Sequence, residues 1–102
     1  MGWATEYIEK LSRGETVQFR PRGNSMSPRI RSGQLCTVEP IPHDEVKVGD
    51  IVLCAVGRAQ YLHFVGAIDN DGEKIRFLIS NNRGGINGRT TRVYGKLVKV
   101  ES

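Results

Sequence analysis

The sequence predicts a mainly β fold, a single compact, mostly antiparallel β domain with a short N-terminal helix. Three observations predict it. Apolar positions at helical spacing occur at the N-terminus and are followed by a glycine. Six short β-prone runs come next, separated by Gly, Asn and Asp turn signals. The chain has 102 residues, enough for one core, and shows no repeat, low-complexity tract or linker.

Trp3, Tyr7, Ile8 and Leu11 predict one amphipathic helix over residues 3–12, with Gly14 where a C-terminal cap falls. Residues 1–15 form this helical piece and residues 16–102 the β domain, one domain overall. Val17 and Phe19 alternate in residues 16–20. Residues 34–38 are β-prone, and the apolar run 51–55 follows a turn signal at Gly49-Asp50. Residues 59–68, 74–79 and 93–100 complete the set. Asp71-Gly72 lies between two runs and predicts a hairpin. Gly33, Asp44, Gly57 and residues 81–88 supply the other turns.

No run of 18 apolar residues exists, and the N-terminus lacks the apolar core of a signal peptide, so no membrane partner is expected. Cys36 and Cys54 have no metal-ligand spacing and sit in β-prone runs. They read as reduced core residues of a cytoplasmic protein, with no metal and no other cofactor required.

The net charge is +4, and its placement says more than its size. Arg20, Arg22, Arg29 and Arg31 lie in a stretch without an acid, and Arg83, Arg89 and Arg92 in a second. Seven of the ten arginines therefore fall in two windows. They are candidate contacts for an acidic peptide or for nucleic acid. The alternative is solvated loop charge. Only Phe19 adjoins them, which argues against a base-stacking platform.

Gly23-Asn24-Ser25-Met26-Ser27-Pro28 puts a serine on a glycine-led turn closed by proline. A nucleophilic serine needs such a corner, with N–H groups free to face a developing oxyanion. The nucleophile also needs a base, and the chain offers two histidines and five lysines. His43 lies in a connection with two prolines and reads as a solvated loop residue. His63 sits in a strand-like run, on one face with Tyr61 and Val65. An imidazole that titrates near neutrality suits a general base. Lys47 and Lys74 are fallbacks.

These residues carry a resemblance. The serine hexapeptide is followed by Arg31-Ser32-Gly33-Gln34-Leu35 and Val48-Gly49-Asp50-Ile51-Val52-Leu53, then by Tyr61-Leu62-His63, Asn81-Asn82-Arg83 and Tyr94-Gly95-Lys96. In that order, over about residues 16–100, the chain resembles the signal peptidase I and LexA-repressor C-terminal peptidase domains. The resemblance implies a curled β fold in which Ser25 attacks a peptide carbonyl. Most members pair that serine with a lysine on the strand after the Gly-Asp box. His63 takes that place here, as in the endoplasmic-reticulum and archaeal branch of signal peptidases. The later box often reads Gly-Asp-Asn, whereas this chain has Ser80-Asn81-Asn82. Asn81 or Asn82 is then the residue expected to orient His63, without the charge of a carboxylate.

The resemblance implies a small serine endopeptidase cleaving a protein substrate, with Ser25 as nucleophile and His63 as general base. Gly23 and the Ser25 N–H would form the oxyanion hole. A membrane anchor and a DNA-binding domain, present in signal peptidases and repressors respectively, are not expected. An isolated catalytic-type domain of this kind would suit a phage or mobile element. The alternative is a weak or inactive peptidase-fold module that binds a protein or nucleic-acid partner through its basic surface, or that forms a homodimer.

Overall fold

The computed structural model describes residues 2–23 and 25–102. One helix, α1 (Thr5–Ser12), precedes seven strands: β1 (Val17–Phe19), β2 (Leu35–Pro40), β3 (Ile51–Val56), β4 (Ala59–Asn70), β5 (Ile75–Ser80), β6 (Ile86–Thr90) and β7 (Arg92–Glu101). All pair antiparallel in one sheet of order β1-β2-β7-β3-β4-β5-β6. The fold is mainly β, as the sequence predicts.

The helix ends where the glycine predicts. Gly14 takes φ +85° and donates its N–H to Leu11 O at 3.0 Å, a conformation that a Cβ would strain. The helix starts at Thr5 rather than at residue 3, so Trp3 lies ahead of it. Tyr7 stacks on Phe19 of β1 at 4.6 Å, and Trp3 meets the same ring edge-on at 5.5 Å. A side chain at Gly95 of β7 would run into Glu39 O, Val38 and Leu11, so glycine there lets helix and strands approach closely.

The largest correction is β6. Residues 81–88 read as a turn because they hold three glycines, yet Ile86–Thr90 pairs with β5. This strand forces the sheet to curl. Only Thr91 separates β6 from β7, and β7 lies beside β3. The end of β6 must therefore come back to β3, three places away in the sheet. Thr90, buried at that end, donates its hydroxyl to Ala55 O of β3 at 2.6 Å.

Curling buries both faces of β3. Ile51 and Leu53 join Leu11, Val17, Phe19, Met26 and Ile30 in one apolar cluster. Val52 and Cys54 join Val65, Phe77, Ile79 and Val93 in another. This period of two follows from strand geometry. It also puts Cys36 and Cys54 in different clusters, and both are free thiols.

The Gly-Asp box sets the register that matters most. Gly49 takes φ +95°. Asp50 accepts the Lys47 N–H through Oδ2 at 2.9 Å, and Lys96 of β7 lies 3.3 Å from its Oδ1. Gly49 N–H donates to Val65 O, and Val65 N–H to Asp50 O, both at 2.8 Å. The turn thus starts the β3–β4 ladder, in which His63 stands opposite Val52.

Candidate active site

Residues 21–33 form a tight excursion between β1 and β2. Its neck closes where Gly33 N–H donates to Pro21 O at 2.9 Å. Met26 and Ile30 are buried and anchor it in the core, linked by Ile30 N–H to Met26 O at 3.0 Å. Ser25 is exposed beside them, so the apolar residue after the serine fixes the loop while the serine itself stays accessible. Asn24 lies outside the described residues.

Ser25 and His63, 38 residues apart, meet. Ser25 Oγ is 2.9 Å from His63 Nε2. The ring is 6% exposed and lies nearly parallel to Tyr61 at 4.8 Å, two residues away on the same strand face. Its other nitrogen, Nδ1, donates to Asn87 Oδ1 at 2.7 Å. An amide oxygen at Nδ1 holds the ring proton there and leaves the Nε2 lone pair toward Ser25. Burial pushes the His63 pKa below its ordinary value, and the Asn87 hydrogen bond opposes that shift. The net shift favours the neutral ring, the form that accepts a proton.

Asn81 and Asn82 do not make the contact expected of them. Asn81 Oδ1 accepts the N–H groups of Arg83 at 2.8 Å and Gly85 at 2.9 Å, which builds the β5–β6 turn. Asn82 instead holds the nucleophile loop. Its N–H donates to Ser25 O at 2.9 Å and its Nδ2 to Ser27 O at 2.7 Å. The turn that begins at Asn81 leads straight into β6, which carries Asn87. One hairpin therefore fastens the Ser25 backbone at one end and the His63 ring at the other.

Gly23, beside the Ser25 N–H, takes φ +115°, and its own N–H donates to Ser32 Oγ at 3.2 Å within the loop. His43 is hydrogen-bonded rather than free. Its Nε2–H donates to Val93 O at 2.7 Å, and its ring meets Phe77 edge-on. Lys47 lies in the turn before β3 and Lys74 at the β4–β5 turn, where Asp71 Oδ1 accepts its N–H at 2.9 Å. Burial pushes the Cys54 thiol up to about 12 and raises Cys36 as well, which makes both poor nucleophiles.

A groove of about 670 Å³ runs past the dyad. Its lining includes Ser25, His63 and Asn87, apolar surface from Trp3, Met26, Ile30 and Leu62, and the arginines Arg20 and Arg22. The four-arginine window divides here. Arg29 stacks over Phe64, 5.3 Å from its centroid, and lines a smaller depression with Asp50 and Lys96. Arg31 is exposed, and its N–H binds Gln34 Oε1 at 2.7 Å. Arg83, Arg89 and Arg92 are exposed too, and Arg92 donates to Gly57 O at 2.6 Å. Among the described residues no cluster of three or more His, Cys, Asp or Glu side chains is placed to hold a metal ion. Among them, no helix is long and apolar enough to cross a membrane.

A protein-family model described as Peptidase S24-like matches residues 4–96. Comparisons with curated proteins and with solved structures find no match.

Proposed function

The chain belongs to the Peptidase S24-like family, in the LexA and signal-peptidase-like superfamily, and from that premise we propose that it is a small serine endopeptidase with Ser25 as nucleophile and His63 as general base. The observation that carries this reading is the 2.9 Å approach of Ser25 Oγ to His63 Nε2.

In the proposed reaction His63 Nε2 takes the Ser25 proton as Oγ attacks the scissile carbonyl. The tetrahedral oxyanion meets the Ser25 N–H. His63 then gives the proton to the leaving amine, and the C–N bond breaks to leave an acyl-serine. Water, deprotonated by the same nitrogen, releases the acid and restores the hydroxyl. A positioned base of this kind contributes on the order of 10²–10⁴ in rate. Asn87 is the proposed positioning residue. In a serine triad, Asn in place of the acid costs about 10⁴ because it favours the wrong tautomer. Here the amide oxygen faces Nδ1, which supports the productive tautomer and forgoes only the charge that would stabilise the imidazolium.

The test is covalent labelling with a fluorophosphonate, read by intact mass and peptide mapping. Wild type should be labelled at Ser25. Ser25→Ala should not be labelled, and His63→Ala should react at least about a hundredfold more slowly. Labelling that is equally fast in His63→Ala removes the dyad.

A further inference from the structure

We propose that the groove selects an extended peptide with an apolar residue near the scissile bond and an acidic residue beside it, and that Arg20 and Arg22, not Arg29 and Arg31, read the acid. This names a substrate class for the peptidase proposed above and rests on that reading. The groove floor is apolar, from Met26, Ile30 and Leu62, and Trp3 forms part of its wall. Among the described residues, the charged side chains lining it are the two guanidiniums, and no Asp or Glu lines it. A low-dielectric floor beside like charges without counterions favours a ligand that brings the missing carboxylate.

The positions of the arginines make the choice specific. The Arg20 guanidinium is held by donating to Gly33 O at 2.9 Å, at the loop neck, so it is pre-set toward the groove at reduced entropic cost. Arg22 is exposed on the same wall, next to Gly23. Arg29 is occupied over Phe64 and faces a depression that already contains Asp50. The wall bearing Trp3 is also fixed. Its indole Nε1–H donates to Gln60 O at 3.0 Å, and Ala4 N–H to Gln60 Oε1 at 2.7 Å. The N-terminal segment is thus part of the peptide site rather than an appendage.

The experiment separates binding from chemistry. Dye-labelled octapeptides with Leu at the centre, flanked by Glu, Gln or Lys, are titrated by anisotropy against Ser25→Ala, which binds without cleaving. The expected order of affinity is Glu, then Gln, then Lys, with about a tenfold span between Glu and Lys at low salt. Arg22→Glu, which leaves the Arg20–Gly33 contact in place, should reverse or erase that order. Arg29→Gln with Arg31→Gln should preserve it. Equal binding of the three peptides, failure of all three to bind, or an order that survives Arg22→Glu overturns the proposal. Absence of fluorophosphonate labelling of wild type at Ser25, with the Glu preference intact, instead overturns the peptidase reading and leaves the acidic-peptide site.

Discussion

Asn87 on β6 holds the imidazole of His63 on β4, with Oδ1 2.7 Å from Nδ1, although β5 lies between the two strands in the sheet. Side chains two strands apart in a flat sheet stand about 9–10 Å from each other, at the ordinary strand spacing. The contact therefore depends on the curl that brings β6 back toward β3.

Replacing Asn87 separates orientation from charge. Asn87→Ala removes the acceptor at Nδ1, and with it the hydrogen bond that raises the His63 pKa. The labelling rate at Ser25 should fall by roughly tenfold to a hundredfold, part of what a positioned base supplies. The acid limb of its pH profile should move to lower pH. Asn87→Asp should move that limb to higher pH by about one unit or more, because a carboxylate favours the imidazolium. Identical limbs in the two variants would show that Asn87 does not act through His63.

The buried ring also predicts the shape of the pH dependence. Its pKa lies below the ordinary value of about 6.5. Labelling of Ser25 should therefore rise with pH along a limb centred below about 6.5 and be flat above it. Stability follows the same group. Between the folded and unfolded pKa values the unfolded chain binds more protons, so stability is complete above about 6.5 and is lost as pH falls through the folded value. Urea midpoints for wild type and His63→Gln should converge as the pH falls. A midpoint difference that is constant across this range would mean that His63 does not titrate on unfolding.

The sequence made half of this site legible, and the reasons are local. Ser25 is marked by a turn-forming glycine, a buried Met26 and a closing proline, all within six residues. His63 is marked by its place in a strand with apolar neighbours on both sides. Asn87 carries no such mark. It stands between Ile86 and Gly88 in a stretch whose glycines and asparagines have low strand propensity, and pairing with β5 overrides that propensity. The nearest sequence signal is Arg89-Thr90-Thr91, a β-prone end that a turn ending at residue 88 leaves unassigned. The expected roles of Asn81 and Asn82 went astray for a related reason. Residues just after a strand satisfy the turn first, and here Asn81 does so twice.

Asn82 provides a contrast with Asn87. Asn82→Ala removes the 2.7 Å bond from Nδ2 to Ser27 O but keeps its own N–H on Ser25 O. Stability should fall by about 1 kcal/mol, the usual net worth of one hydrogen bond. Labelling of Ser25 should slow by roughly tenfold, because small misplacements of a nucleophile are costly. The acid limb should stay where it is in wild type, since His63 keeps Asn87. A shifted limb would mean that the two asparagines act on the same group after all.

Thr90 tests whether the curl itself sets the site. Its hydroxyl donates to Ala55 O at 2.6 Å and accepts the Arg92 N–H at 3.0 Å, so it ties the end of β6 to both β3 and β7. Thr90→Val keeps the shape and removes both bonds. Leaving buried polar groups unpaired should destabilise the fold by roughly 1–3 kcal/mol. Asn87 lies three residues upstream on the same strand, so freeing the strand end should loosen its hold on His63. The expected outcome is a lower urea midpoint together with slower labelling and an acid limb displaced toward lower pH, in the direction of Asn87→Ala. Thr90→Ser, which restores both bonds, should recover rate and limb. A Thr90→Val protein that loses stability but labels at the wild-type rate, with an unmoved limb, would show that β5 pairing alone positions Asn87 and that the closure onto β3 serves only the core.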